Sequence, residues 1–209
     1  MPLSDLFKKS PNKEPARDNE ESPALEKLKR GREAALEFLP ILKAKLIAPD
    51  GSLHAGTMLS ASAWLTGTSL YRSFNFEHRE PPGTVIKADE VNKEWESLIF
   101  LLEQYNFQKA DIPVGQLIMA ALTVPDFFKP QVDILHVQRE LQEQYNAVMK
   151  KHGFDYLDGA RAGIVLCSIF IQQYDGAKII EPPAASGIVA QGILEAAKTV
   201  PPPLKSPNL

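Results

Sequence analysis

The sequence contains a single cysteine, which excludes an internal disulfide. Cys167 lies within Gly-Ile-Val-Leu-Cys-Ser-Ile-Phe-Ile, where a small buried thiol is the ordinary reading and a redox or catalytic one is not. Positive charge is also in short supply. Lys and Arg number 23 against 26 Asp and Glu, a net charge of -3, so the basic footprint of a nucleic-acid binder is missing.

Signature motifs are missing as well. There is no GxGxxG, P-loop, GxSxG, HExxH or CxxC, so dinucleotide, nucleoside-triphosphate, hydrolase and zinc chemistries lack their local marks. Of His54, His78, His136 and His152, only His136 has a carboxylate at helical ligand spacing, Glu140, and such a pair is common by chance. No metal and no cofactor are expected, and an enzyme is the less favoured class. The first residues hold no apolar run followed by a small-residue cleavage site, so no signal peptide is expected and a cytoplasmic location is.

A long hydrophobic run is the last absence. Ala55 to Tyr71 carries no charge, yet it includes Thr57, Ser60, Ser62, Thr66, Thr68, Ser69 and Tyr71 and stops at Arg72. A membrane helix needs about 20 predominantly apolar residues, so this segment is not a span.

What the sequence has in plenty is helical periodicity. A first helix is expected to start at Pro23 after a Ser22 cap, with Glu26 in its first turn and Leu25, Leu28, Ala35, Leu36, Leu39, Leu42 and Leu46 on its apolar side. Pro40 removes a backbone donor and predicts a kink or break near 36–38. Gly51 supplies a turn, and Ser52 is the candidate cap of the second helix. A connection follows, with a short extended piece at 84–86. A third helix enters at Asp89 with Val91, Trp95, Leu98, Ile99, Leu102 and Tyr105 at helical spacing.

A short apolar helix, Val-Gly-Gln-Leu-Ile-Met-Ala-Ala-Leu, comes next and is ended by 124–130, whose Phe127 and Phe128 are both expected to be exposed. A fifth helix is expected over 131–151, with Ile134, Leu135, Leu141, Tyr145 and Val148 along one side, and a sixth over 159–174, apolar all round. A seventh spans 184–199. The sum is an all-α, single-domain bundle of six to seven helices over 23–200, with the small-residue second and sixth helices central. It lies between a disordered tail over 1–22 and a Pro-rich tail over 201–209. Leu3, Leu6 and Phe7 in the first tail form a small apolar cluster that a groove could accept.

Sliding the chain on itself by 107 positions aligns 32–59 with 139–166 without a gap. The match sets Arg32, Glu33, Lys43, Ala55, Gly56 and Leu59 against Arg139, Glu140, Lys150, Ala162, Gly163 and Leu166. Either a helical hairpin is duplicated or two hairpins of similar composition coincide. Duplication would pair the second and sixth helices about an approximate two-fold axis.

Candidate site residues follow from the same two helices. Gly56, Ser60, Ala63 and Gly67 fall in one stripe of the second helix, flanked by Trp64 and Tyr71, and form a groove suited to another backbone or to a flat ligand. His54 and Arg161 each precede an Ala-Gly at a helix start, where free backbone donors favour an anion. Two functions emerge. The first is a non-enzymatic protein that self-associates, as a homodimer or other homo-oligomer, and takes protein partners. The second is a binder of a small anionic or flat ligand in a pocket beside the Gly56–Gly67 groove, lined by His54, Arg161, Trp64 and Tyr71.

Overall fold

The computed structural model describes residues 22–76, 80–107 and 114–205. The tail 1–21 with Leu3, Leu6 and Phe7, His78, and the last four residues lie outside the described residues. Within them the protein is an all-helical bundle. The helices are α1 (Pro23–Leu46), α2 (Ala55–Ser73), α3 (Asp89–Asn106), α4 (Val114–Leu122), α5 (Ile134–Lys151), α6 (Tyr156–Gly176) and α7 (Pro182–Ala197), with a 3-10 turn at Asp126–Phe128. No helix among the described residues is long and apolar enough to cross a membrane.

Local chemistry explains most boundaries. Pro23 opens α1, but the Ser22 side chain makes no capping hydrogen bond, and α1 continues unbroken through Pro40. The cap of α2 is His54 and not Ser52, whose amide and hydroxyl both bind Asp50 in the preceding turn. Helix α6 starts three residues earlier than its apolar run suggests, at Tyr156 in place of Gly159. The cause is Asp155, whose carboxylate accepts the Asp158 amide at 2.8 Å. The extended piece at 84–86 is present as an isolated antiparallel bridge of Val85 with Thr199, in which the Ile86 amide donates to Lys198 O at 2.8 Å and the Val200 amide to Thr84 O at 2.9 Å. Residues 201–205 lie against the body: Pro201 is buried, the Pro202 carbonyl accepts from Arg72 at 2.7 Å, and the Lys205 amide donates to Glu143.

The helix α2 forms the centre of the molecule. Every residue from Ala55 to Tyr71 is buried, although the segment is rich in hydroxyls. Back-bonding to the helix makes this tolerable: Ser62 donates to Leu59 O, Thr66 to Ser62 O and Thr68 to Trp64 O, at 2.7 to 2.9 Å. Helix α5 supplies a complementary polar stripe. Gln138, Gln142 and Asn146 are buried against α2, with Gln138 Nε2 donating to Thr68 Oγ1 at 2.8 Å and Gln142 Nε2 to Asn146 Oδ1 at 2.8 Å. Of the two aromatics in the 3-10 turn only Phe127 is exposed. Phe128 is buried because its backbone closes on Gly56.

Packing partners follow a simple rule. Helices α2 and α6 pack on each other, α1 packs on α6 and α5 on α2, α3 packs on α6 and α7 on α2. Exchanging α1 with α5, α2 with α6 and α3 with α7 reproduces these pairings, and the minor pairs α1 with α2 and α5 with α6 as well. The protein is thus two interlocked three-helix units, in which the outer helices of each unit cover the central helix of the other. Helix α4 and the 3-10 turn stand outside the scheme, against α7 and α2 respectively. The element correspondence matches the 107-residue self-alignment, but the residue correspondence does not. Gly56 opens α2, whereas its aligned partner Gly163 lies about two turns into α6.

Candidate functional site

The small-residue stripe of α2 is occupied by protein backbone. A Cβ on Gly56 would collide with the Phe128 carbonyl, and one on Gly67 with the Ile193 carbonyl. Ala63 meets Gly192, where an added Cβ would lie 2.9 Å from its own. Only the Ser60 and Trp64 edge is open. It borders a cavity of about 360 Å3 between α2, α7 and the segment joining α4 to α5. Leu122, Val124, Phe128 and Ile188 line its apolar side, and Gln191, Glu195, Asp126 and Lys129 its polar side.

One hydrogen bond organises this wall. Trp64 is buried, and its indole Nε1 donates to Glu195 Oε2 at 2.9 Å, fixing the ring against α7. Lys129 is paired with Asp126 at 2.9 Å in the exposed turn. The cavity therefore offers an aromatic face, a carboxylate and an amide, and its charged groups balance toward the negative. A flat neutral or cationic molecule suits it better than an anion.

The remaining candidate residues are not brought to this cavity. Helices α2 and α6 run antiparallel, since Gly163 lies against Thr66 and Cys167 against Ser62. His54 and Arg161 are consequently at opposite ends of the pair, roughly 20 Å apart along α2 by helical rise. His54 is engaged in holding the fold. Its Nδ1 accepts from the Thr57 amide at 3.1 Å, and Nε2 then carries the proton and donates to the Phe127 carbonyl at 2.6 Å. Arg161 is partly exposed on α6 and binds Asp158 at 3.2 Å, a carboxylate that Lys27 also reaches at 2.7 Å. Tyr71 is buried edge-on to Phe76, with ring centroids 5.3 Å apart, and burial raises its phenol above the ordinary value.

Cys167 is fully buried, and burial pushes its thiol up to about 11, so it carries no thiolate near neutral pH. Among the described residues no three His, Cys, Asp or Glu side chains converge as a metal site would require.

The Glu195, Gln191 and Leu122 walls escaped the sequence reading. A signal for the first was present: a buried tryptophan N–H needs an acceptor. No family model matches this chain, and neither a curated protein nor a solved structure does.

Proposed function

We propose that the protein is a non-enzymatic, self-associating helical protein whose copies meet through the face made by α4 and the 3-10 turn. The observation that supports this reading is an apolar surface whose only charges are the mutually paired Asp126 and Lys129 of the exposed turn. Ile112 to Pro125 contains no ionisable residue, and along it and the turn Met119 is 60%, Leu122 66% and Phe127 68% exposed. Single exposed apolar residues are ordinary, but three large ones on one short segment are the usual mark of a contact surface.

A second copy is the occupant that fits. In a two-fold contact a patch faces itself, so a charged patch repels while an uncharged apolar one is self-complementary. The adjoining cavity, with Leu122 and Val124 on its lip, receives side chains from the facing copy. An assembly role in the cytoplasm accords with this reading.

Size-exclusion chromatography with light scattering tests it. The Met119→Glu/Leu122→Glu variant is expected to elute as a 23.1 kDa monomer with unchanged helical circular dichroism, and the parent protein at a multiple of that mass. Identical masses would remove the reading. A second reading is favoured by the Trp64–Glu195 wall alone: a flat neutral or cationic ligand held in the 360 Å3 cavity. Trp64 fluorescence that shifts on adding an aromatic cation, and not in Glu195→Gln, would support it.

A further inference from the structure

The exchange relating the two three-helix units leaves one place unmatched. In the second unit, the segment preceding α5 is packed down: α4 lies on α7, and the Phe128 backbone on Gly56 of α2. In the first unit, the corresponding face of α6 between α1 and α3 is an open groove. Two adjoining hollows of about 220 and 380 Å3 form it, sharing Leu28, Tyr105 and Val165. Leu101 on α3, and Gly31 and Ala162 where α1 meets α6, complete an apolar lining.

By the same exchange, the segment answering to 114–130 is the one preceding α1, residues 1–21. It contains Asp5-Leu6-Phe7-Lys8, and the 3-10 turn reads Asp126-Phe127-Phe128-Lys129. The described chain begins at Ser22, at the mouth of the groove, since Ala24 and Lys27 line it. The rim carries Lys27, Lys29, Arg32 and Arg161 against one carboxylate, Asp158, which Lys27 and Arg161 share, so it keeps a positive excess beside Asp18, Glu20 and Glu21 of the sequence. Reach is ample. The residues from Phe7 to Ser22 span up to about 50 Å when extended, and the groove follows α6 for about 20 Å.

We propose that Leu6 and Phe7 of the same chain seat in this groove, so that the N-terminal segment covers the first unit as the segment before α5 covers the second. The docked segment is an intramolecular ligand of α6, and it is independent of any contact through α4.

A nitroxide on the full-length Ser4→Cys variant reports the docking, because Cys167 is fully buried and leaves the new thiol as the site of labelling. Methyl resonances of Leu28, Leu101 and Val165 are expected to broaden in the spin-labelled chain. They should recover when Leu6→Asp/Phe7→Asp is added. In a mixture of methyl-labelled chains lacking the nitroxide with spin-labelled chains lacking methyl label, they should stay sharp. No broadening within the chain, or broadening that survives Leu6→Asp/Phe7→Asp, would overturn the proposal. Broadening in the mixture would overturn it too, assigning the groove to the segment of a second copy.

Discussion

A methyl group at Gly56 or Gly67 would sit on a backbone carbonyl, of Phe128 and Ile193 respectively, and backbone cannot swing aside as a flexible side chain can. Gly56→Ala and Gly67→Ala are therefore each expected to lower unfolding free energy by about 1–3 kcal/mol in urea titrations, the usual cost of overpacking. Gly115→Ala is the contrast. Nothing lies within 4 Å of its added Cβ, so the change should be neutral or stabilising by up to about 1 kcal/mol. A similar effect at all three positions would mean that the small stripe is not a close-packing device.

His54 belongs to the same scale. It caps α2 and ties the 3-10 turn through Phe127 O, so His54→Ala should cost about 1–2 kcal/mol, measured by the same titration. Cys167 is expected to resist Ellman's reagent in the native protein at neutral pH and to react fully in urea, since burial holds its thiol at about 11. Reaction at a free-thiol rate in the folded state would contradict its placement.

At the scale of elements, the fit of α1 against α5 includes an ion cluster. Glu37 on α1 meets Lys151 at 2.8 Å and His152 at 3.0 Å at the end of α5. The hydrogen bond from Lys151, then that from His152, holds the Glu37 carboxyl below the ordinary carboxylate range. A depressed value means a contribution present above that range and lost as pH falls through it. Glu37→Gln should thus be less stable than the parent near neutral pH, and the two should converge once the pH has fallen below the ordinary carboxylate range. A constant difference at all pH values would exclude the charge as its source.

Helical spans were legible because amphipathic periodicity is a local property: α1, α3, α4 and α5 each repeat apolar residues at three- and four-residue spacing, and prolines and glycines mark their limits. The stripe of α2 was legible too, as a place of close approach. The amide stripe of α5 was not, because Gln138, Gln142 and Asn146 read as a solvent face until the hydroxyls of α2 are set against them. The His54 and Arg161 pairing failed for a similar reason. Both precede Ala-Gly, but whether two helices run parallel or antiparallel is decided by the chain between them, and the antiparallel pairing of α2 and α6 parts the two residues.

For the whole molecule, interlocking has a consequence for function. Each central helix is covered by the outer helices of the other unit, α6 except along the groove between α1 and α3, and what stands outside the scheme is α4 and the 3-10 turn. That exception carries Met119, Leu122 and Phe127 at the surface and borders the cavity under Trp64. Native mass spectrometry of the untagged protein over a range of concentrations tests the central claim, association through that face, most directly. The expected result is a whole multiple of 23.1 kDa that falls to the single-chain mass in Met119→Glu/Leu122→Glu. A single-chain mass for the parent at all concentrations, or a multiple that the variant leaves intact, would contradict it.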